Sequence, residues 1–263
     1  MVMGRNVQNA RRPLDGMTYW RRTFGCQMNE NDAERVAGML ETAGALPVAT
    51  IEEADIAVFI TCCVREKAEL RLMGQVASIK NVPNAHEAKR IIAVGGCIGQ
   101  LEGATLRESL PHVDIVFGTH NLGHLVDLIE LRLSTGEPQV ETIDANDGFS
   151  SDLPVRREKP WHAWVPIMTG CDNFCSYCIV PYVRGREMSR PIESIAAELA
   201  GLSSEGIREV TLLGQNVNSY GRDLYGRPRF AEVLALAGQS GVERVRFVTS
   251  HPKDLLPETI EAM

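Results

Sequence analysis

The chain has 263 residues, 44% hydrophobic and 23% charged, a composition that can bury a sizeable core in two domains or one large one. A net charge of −7 and a pI near 5.5 exclude a general nucleic-acid coat, which is basic overall, but leave room for a local basic patch. No apolar run approaches the roughly 18 residues of a membrane span, and the opening "MVMGRNVQNARRPLDG" has no apolar segment behind its basic residues, so a cytoplasmic chain is expected.

Residues 1–16 are expected to be a disordered lead-in. "MTYWRRTFGC" (17–26) reads as a strand. "NDAERVAGMLETAG" (31–44) puts Val36, Met39, Leu40 and Ala43 on one helical face, with Asn31 as N-cap and Gly44 as stop. A second, fully apolar strand (54–63) and a helix from Glu66 to about Lys80 follow. A third strand spans 89–97, a fourth 113–118, and a helix covers about 121–134. Apolar strands alternating with helices imply a parallel sheet covered on both faces, so 17–134 is expected to be a Rossmann- or flavodoxin-like α/β domain.

The polar, turn-rich stretch 135–160 has no periodicity and reads as a linker. A second α/β series then fills 161–263. It has a strand in "WHAWVPIMTGC", a helix over 191–206, a strand over 207–216, a helix over 230–241, a strand over 242–252 and the start of a helix in "PETIEAM". That is about half of a (β/α) barrel, which takes some 200 to 250 residues, so a partial barrel and a C-terminally truncated chain are expected.

Seven cysteines in a reducing compartment point to metal or redox chemistry, not to disulfides. Cys171, Cys175 and Cys178 have C-x-x-x-C-x-x-C spacing, with no fourth Cys or His close by. Structural zinc takes four ligands. Three thiolates at the end of a strand instead hold a 4Fe-4S cluster by three irons and leave the fourth open to a substrate or cofactor. Cys26, Cys62 and Cys97 each end a strand of the first sheet, so all three emerge at the edge where open α/β sheets bind ligands, and a second three-thiolate cluster is expected there. Cys63 complicates the second strand end, because successive strand residues face opposite ways and the residues alone do not choose between Cys62 and Cys63. The basic side chains around the cysteine loop, Arg184 and Arg186 among them, are either RNA-phosphate contacts or a solvated face.

"CDNFCSYC", with Tyr177 at the aromatic position, resembles the signature of the radical S-adenosylmethionine (SAM) superfamily. The resemblance implies that the open iron chelates SAM, that one electron cleaves SAM to a 5′-deoxyadenosyl radical, and that Tyr177 packs near the adenine. "FGCQMNENDAE", "TCCVREKAE" and "GGC" resemble the three cysteine motifs of the methylthiotransferase N-terminal domain. That alignment makes Cys62 the ligand and Cys63 its small neighbour. Ile60 and Ile98-Gly99 depart from the usual residues beside the motifs. "IMTGCDNFCSYCIVPYVRGREMSRP", "LLGQNVNSYG" and "RFVTSHP" resemble the tRNA-modifying, MiaB-like branch of that family.

The resemblance implies two 4Fe-4S clusters, on Cys26, Cys62, Cys97 and on Cys171, Cys175, Cys178, and methylthiolation at C2 of an N6-isopentenyladenosine beside the tRNA anticodon. It implies a tRNA substrate, an electron donor such as flavodoxin or ferredoxin, and a monomer. Gln215 and Asn216, at the end of the second barrel strand, are placed to line the SAM or adenosine pocket; otherwise they close a turn. Rival readings are a methylthiotransferase acting on ribosomal protein or another modified tRNA adenosine, and a non-enzymatic iron–sulfur protein, although carriers shield their cluster with four ligands. Residues 1–263 alone are expected to turn over little or not at all.

Overall fold

A computed structural model describes residues 12–63, 66–86, 89–143 and 152–263. The first domain runs β1 (Thr18–Phe24), α1 (Gln27–Thr42), β2 (Leu46–Pro47), β3 (Ile56–Thr61), α2 (Glu66–Ile79), β4 (Ile91–Gly96), α3 (Cys97–Glu102), α4 (Thr105–Ser109), β5 (Ile115–Phe117), α5 (Leu125–Thr135) and β6 (Gln139–Glu141). The strands form one all-parallel sheet in the order β2-β1-β3-β4-β5-β6. Every residue of β3 and β4 is buried, because helices cover both faces. Alternation sorts them: Ile56, Val58 and Ile60 pack with Val36 and Leu40 of α1, while Ala57 and Phe59 pack with Leu72 and Val76 of α2.

The strand and helix alternation expected for 17–134 is present, with three local corrections. Helix α1 begins five residues earlier than expected, and its N-cap is Cys26, not Asn31, which is buried inside the helix. The stretch expected as linker contributes β6, whose three residues add a sixth strand beside β5. The described end of that stretch is also fastened: Arg156 N–H donates to the Glu34 carbonyl and the Arg35 guanidinium to the Leu153 carbonyl. A Cβ at Gly38 would stand 2.3 Å from the Pro154 carbonyl oxygen, so only glycine lets the chain cross α1 this closely. Of the expected disordered lead-in, 1–11 lies outside the described residues, but Leu14 is fully buried and its N–H donates to the Ala43 carbonyl.

The second domain runs β7 (His162–Pro166), β8 (Met168–Thr169), α6 (Val180–Arg184), β9 (Met188–Ser189), α7 (Ile192–Ser204), β10 (Glu209–Leu213), α8 (Arg222–Tyr225), α9 (Phe230–Gln239), β11 (Arg244–Phe247) and α10 (Pro257–Glu261). Strands β7, β10 and β11 form a parallel sheet with β10 central. Ile195, Leu199 and Leu202 of α7 and Phe230, Val233 and Ala237 of α9 bury against Val165, Val210 and Leu212. This is the βαβαβ start of a (β/α) barrel. Strands β8 and β9 form a separate antiparallel pair that brackets the Cys171–Cys178 loop. No described helix is long and apolar enough to cross a membrane.

Candidate functional site: two cysteine clusters joined by one loop

The carboxyl ends of β1, β3 and β4 are level. Phe24 pairs with Thr61, and Thr61 with Gly96, so one row crosses all three strands. Cys26, Cys62 and Cys97 are the first or second residues beyond that row. The Cys62 N–H donates to the Phe24 carbonyl at 2.9 Å, which ties the second strand end to the first. Asn29, fully buried one turn into α1, donates its amide to the Thr61 carbonyl at 3.4 Å and accepts from the Cys26 N–H at 3.3 Å. Gly96 has φ +88°, and a Cβ there would lie 2.7 Å from the Thr61 oxygen. This glycine lets β4 turn directly into α3 and place Cys97 at its start.

The thiols of this edge interact with one another. Cys62 hydrogen-bonds to both Cys26 and Cys97, whereas Cys63 reaches Cys97. Hydrogen bonding from Cys62, with the nearby Arg184 guanidinium, lowers the Cys26 thiol to about 6 against the opposing effect of burial. The bonds from Cys62 and Cys63 likewise lower Cys97, and Arg184 adds to them. Cys63 is pushed up, first by its bond to Cys97 and then by burial. It is half-buried beside the α2 face of the sheet, packed against the Phe59 cluster, while Cys62 is buried among the other thiols. Both adjacent cysteines therefore reach Cys97, but only Cys62 also bonds to Cys26, and Cys63 packs toward the α2 face.

Cys171, Cys175 and Cys178 lie on one loop between β8 and α6. Its neck is closed by Gly170 at φ +74°, where a Cβ would stand 1.9 Å from the Arg186 carbonyl oxygen. The Cys171 N–H donates to the Gly185 carbonyl at 3.2 Å, and Cys178 N–H to the Cys175 carbonyl at 2.9 Å. Burial pushes the Cys171 thiol up. Among the described residues the two non-glycine positions with positive φ both belong here: Phe174 within the loop and Thr249 just past β11. Such strain, about 1 kcal/mol or more each, concentrates at functional sites.

Apart from Asn216, the residues that hold this loop are ones the sequence reading did not single out. Asp254, buried after β11, accepts from Asn216 Nδ2 at 2.7 Å, Asn173 Nδ2 at 3.4 Å and Arg222 at 2.9 Å. Burial works to raise the Asp254 carboxyl, but the hydrogen bonds from Arg222, Asn216 and Asn173 bring it below its ordinary value. His251 accepts the Lys253 N–H on Nδ1, which leaves Nε2 protonated and 3.8 Å from the Cys175 sulfur. The signal available was "HPKD" directly after an apolar strand, at the barrel end where function collects.

The remaining expected site residues divide. Asn216 is buried and holds the backbone N–H of His251 and the Asp254 carboxylate, so it braces the loop instead of lining an open pocket. Gln215 keeps a buried Oε1 with no partner among the described residues. Tyr177 is 87% exposed. Arg184 is not an RNA-phosphate contact: it is buried, with its guanidinium 2.8 Å from Asp32 of α1. Arg186 is exposed and paired with Asp172 at 2.7 Å.

Three thiols converging on one edge and three on one loop suit iron–sulfur ligation, and a buried cation beside the first set offsets the charge such a centre carries. No three described Cys, His, Asp or Glu side chains yet stand in chelating geometry; the first set is hydrogen-bonded to itself instead. The buried acceptors Glu187 Oε1, near Cys171, and Asn218 Oδ1, whose amide donates to the His251 carbonyl, also lack partners among the described residues, and Ser219 donates to the other Glu187 oxygen at 2.7 Å. Unpaired buried acceptors beside a three-cysteine loop fit a ligand that carries an ammonium group.

Residues 165–263 match the radical SAM superfamily, and residues 18–118 match UPF0004, described as an uncharacterized protein family. The second domain thus carries a radical SAM match and the first a UPF0004 match, and the radical SAM match supports an iron–sulfur cluster and SAM as cofactors. Over 95% of its length the chain is 49% identical to the tRNA-2-methylthio-N(6)-dimethylallyladenosine synthase of Frankia casuarinae, covering 46% of that protein. It is 48% identical over 93% of its length to the Desulforamulus reducens synthase of that name, covering 54% of it. The chain spans about half the length of the curated relatives it matches. In fold it is similar to the radical SAM methyltransferase TsrM from Kitasatospora setae, with a TM-score of 0.58 at 11% identity over 94% of this chain and 58% of that one. The cobalamin-dependent OxsB follows with a TM-score of 0.51 at 13% identity, over 95% of this chain and 41% of that one.

Proposed function

We propose that this chain carries the two metal sites of a tRNA-2-methylthio-N(6)-dimethylallyladenosine synthase, which replaces the C2 hydrogen of an N6-isopentenyladenosine beside the anticodon with a methylthio group. The observation that carries the reading is the pair of cysteine sites in one molecule, one gathered from three strand ends and one on a single C-x-x-x-C-x-x-C loop that has three thiols where an electron carrier uses four ligands. The curated relatives of that name support it along nearly the whole chain.

Cys26, Cys62 and Cys97 would hold one 4Fe-4S cluster, and Cys171, Cys175 and Cys178 the other. When bound, the clusters and SAM supply the sulfur, the methyl group and the radical that removes hydrogen from C2. The chain's own residues set the geometry. Asn29 fixes Cys26 against the Thr61 strand end, and Asp254 with Asn173 braces the cysteine loop. Glu187 and Asn218 offer acceptors to the amino group of SAM, Gln215 offers one to SAM or the adenosine, and Tyr177 stands where an adenine can stack. Arg186 is left as the exposed cation for RNA phosphate, since unpaired loop bases must be splayed out to reach such a site. An external one-electron donor of the flavodoxin or ferredoxin kind completes the set, with the chain acting as a monomer in the cytoplasm.

Anaerobic reconstitution with iron and sulfide tests this. About eight irons per chain and an EPR signal that changes on adding SAM are expected. About four irons with no response to SAM would contradict it.

A further inference from the structure

Arg184, Gly185 and Arg186 are consecutive, and each is fastened to a different part of the two cysteine sites. The Arg184 guanidinium reaches back into the first domain, to Asp32 of α1 at 2.8 Å and to the Cys97 thiol. The Gly185 carbonyl accepts the Cys171 N–H at 3.2 Å. Arg186 donates two bonds to Asp172, at 2.7 and 3.1 Å, and its carbonyl abuts Gly170 at the neck of the loop. Beside this tripeptide, Thr119 Oγ1 of the first domain donates to the Val183 carbonyl at 2.6 Å, and α6 packs on α3, the helix that begins at Cys97.

We propose that Arg184-Gly185-Arg186 is a bridge that fixes the separation of the two cysteine sites, with Arg184 as a positioning residue that also places a permanent cation at the first. This rests on the two-cluster reading above and adds what couples the clusters. A surface arginine would not be spent this way. Both partners of the Arg184–Asp32 pair are under a tenth exposed, and a buried pair of that kind is costly to form yet more costly to break on one side. Such an arrangement is kept where register matters. Gly185, at φ +75°, lets the chain reverse between the two arginines so that they point to opposite sites. A cation beside a cluster favours its reduced, more negative state, so the same side chain sets the site's spacing and its potential.

The test is the double variant Arg184→Gln/Asp32→Asn, which keeps two polar partners without stranding a buried charge, alongside Arg184→Lys. In the reconstituted double variant, both clusters are expected to be retained and the second to keep its SAM response. The first cluster's midpoint potential is expected to move to a more negative value, with Arg184→Lys restoring most of the shift. Amide exchange over 97–102 and 180–184 is expected to rise about tenfold, with or without iron. An unchanged potential and unchanged exchange would overturn the bridge. So would equal loss of both clusters, because that would mark the pair as a general support of the fold. A parent chain that binds only about four irons defeats the two-cluster reading instead, and exchange in the iron-free chain still decides the bridge.

Discussion

Cys26, Cys62 and Cys97 come from three distant stretches of sequence and meet because three parallel strands end in one row, whereas Cys171, Cys175 and Cys178 share a single loop. The first set is mostly buried, its thiols bonded to one another and faced by a buried arginine. Two of the second set are half-exposed, and their loop leans on polar side chains from the ends of the barrel strands, His251 against Cys175 and Asp254 against Asn173. A site made by strand ends inherits the rigidity of the sheet, while a site on a loop must be held by added hydrogen bonds. The first is therefore sensitive to changes in strand packing, and the second to changes in its polar braces.

Gly170→Ala should break the loop site most completely. Its new Cβ would collide with the Arg186 carbonyl in a backbone conformation alanine resists, and a loss of about 3 kcal/mol or more is expected in denaturant melts, with iron at the second site gone. Phe59→Ala should strike the other region, costing about 3–5 kcal/mol by opening a cavity under β3 and lowering iron at the first site before the second. Asp254→Asn sharpens the contrast further. It removes the carboxylate charge facing Arg222 and leaves one accepting oxygen where Arg222, Asn216 and Asn173 use two, and a loss of about 1–3 kcal/mol with weaker SAM binding, read by titrating the EPR change, should leave the first cluster intact. Arg186→Ala is the mildest, since an exposed pair contributes below about 1 kcal/mol; it should lower tRNA affinity and the salt dependence of binding by about one phosphate contact.

The first domain was largely legible because buried parallel strands write themselves as continuous apolar runs, and their last residues then locate the ligand edge. Thus Cys26, Cys62 and Cys97 could be placed together before any contact was seen. Strand β6 was missed because three residues at a sheet edge, Gln139, Val140 and Glu141, carry no periodic signal and sit in a polar stretch. Helices α3, α4, α6 and α8 span one to two turns, too short for a 3.6-residue pattern to declare itself. Arg184 was misread for a different reason. Charge in a sequence argues for solvent or phosphate, and only the tertiary partner Asp32 makes its burial affordable. Of the polar brace, "HPKD" marks His251 and Asp254 at a strand end, but its pairing with Asn173 was illegible for the same cause: residues far apart in sequence act together only once the strand ends meet.

The central proposal is that the molecule holds two distinct three-thiolate clusters, and iron analysis with Mössbauer spectra of single cysteine variants tests it most directly. Cys62→Ala and Cys175→Ala should each retain about four irons, with complementary spectra, and only Cys62→Ala should keep the response to SAM. Cys63→Ala should retain about eight. Loss of both clusters from either single variant, or the loss of four irons in Cys63→Ala but not in Cys62→Ala, would contradict the account.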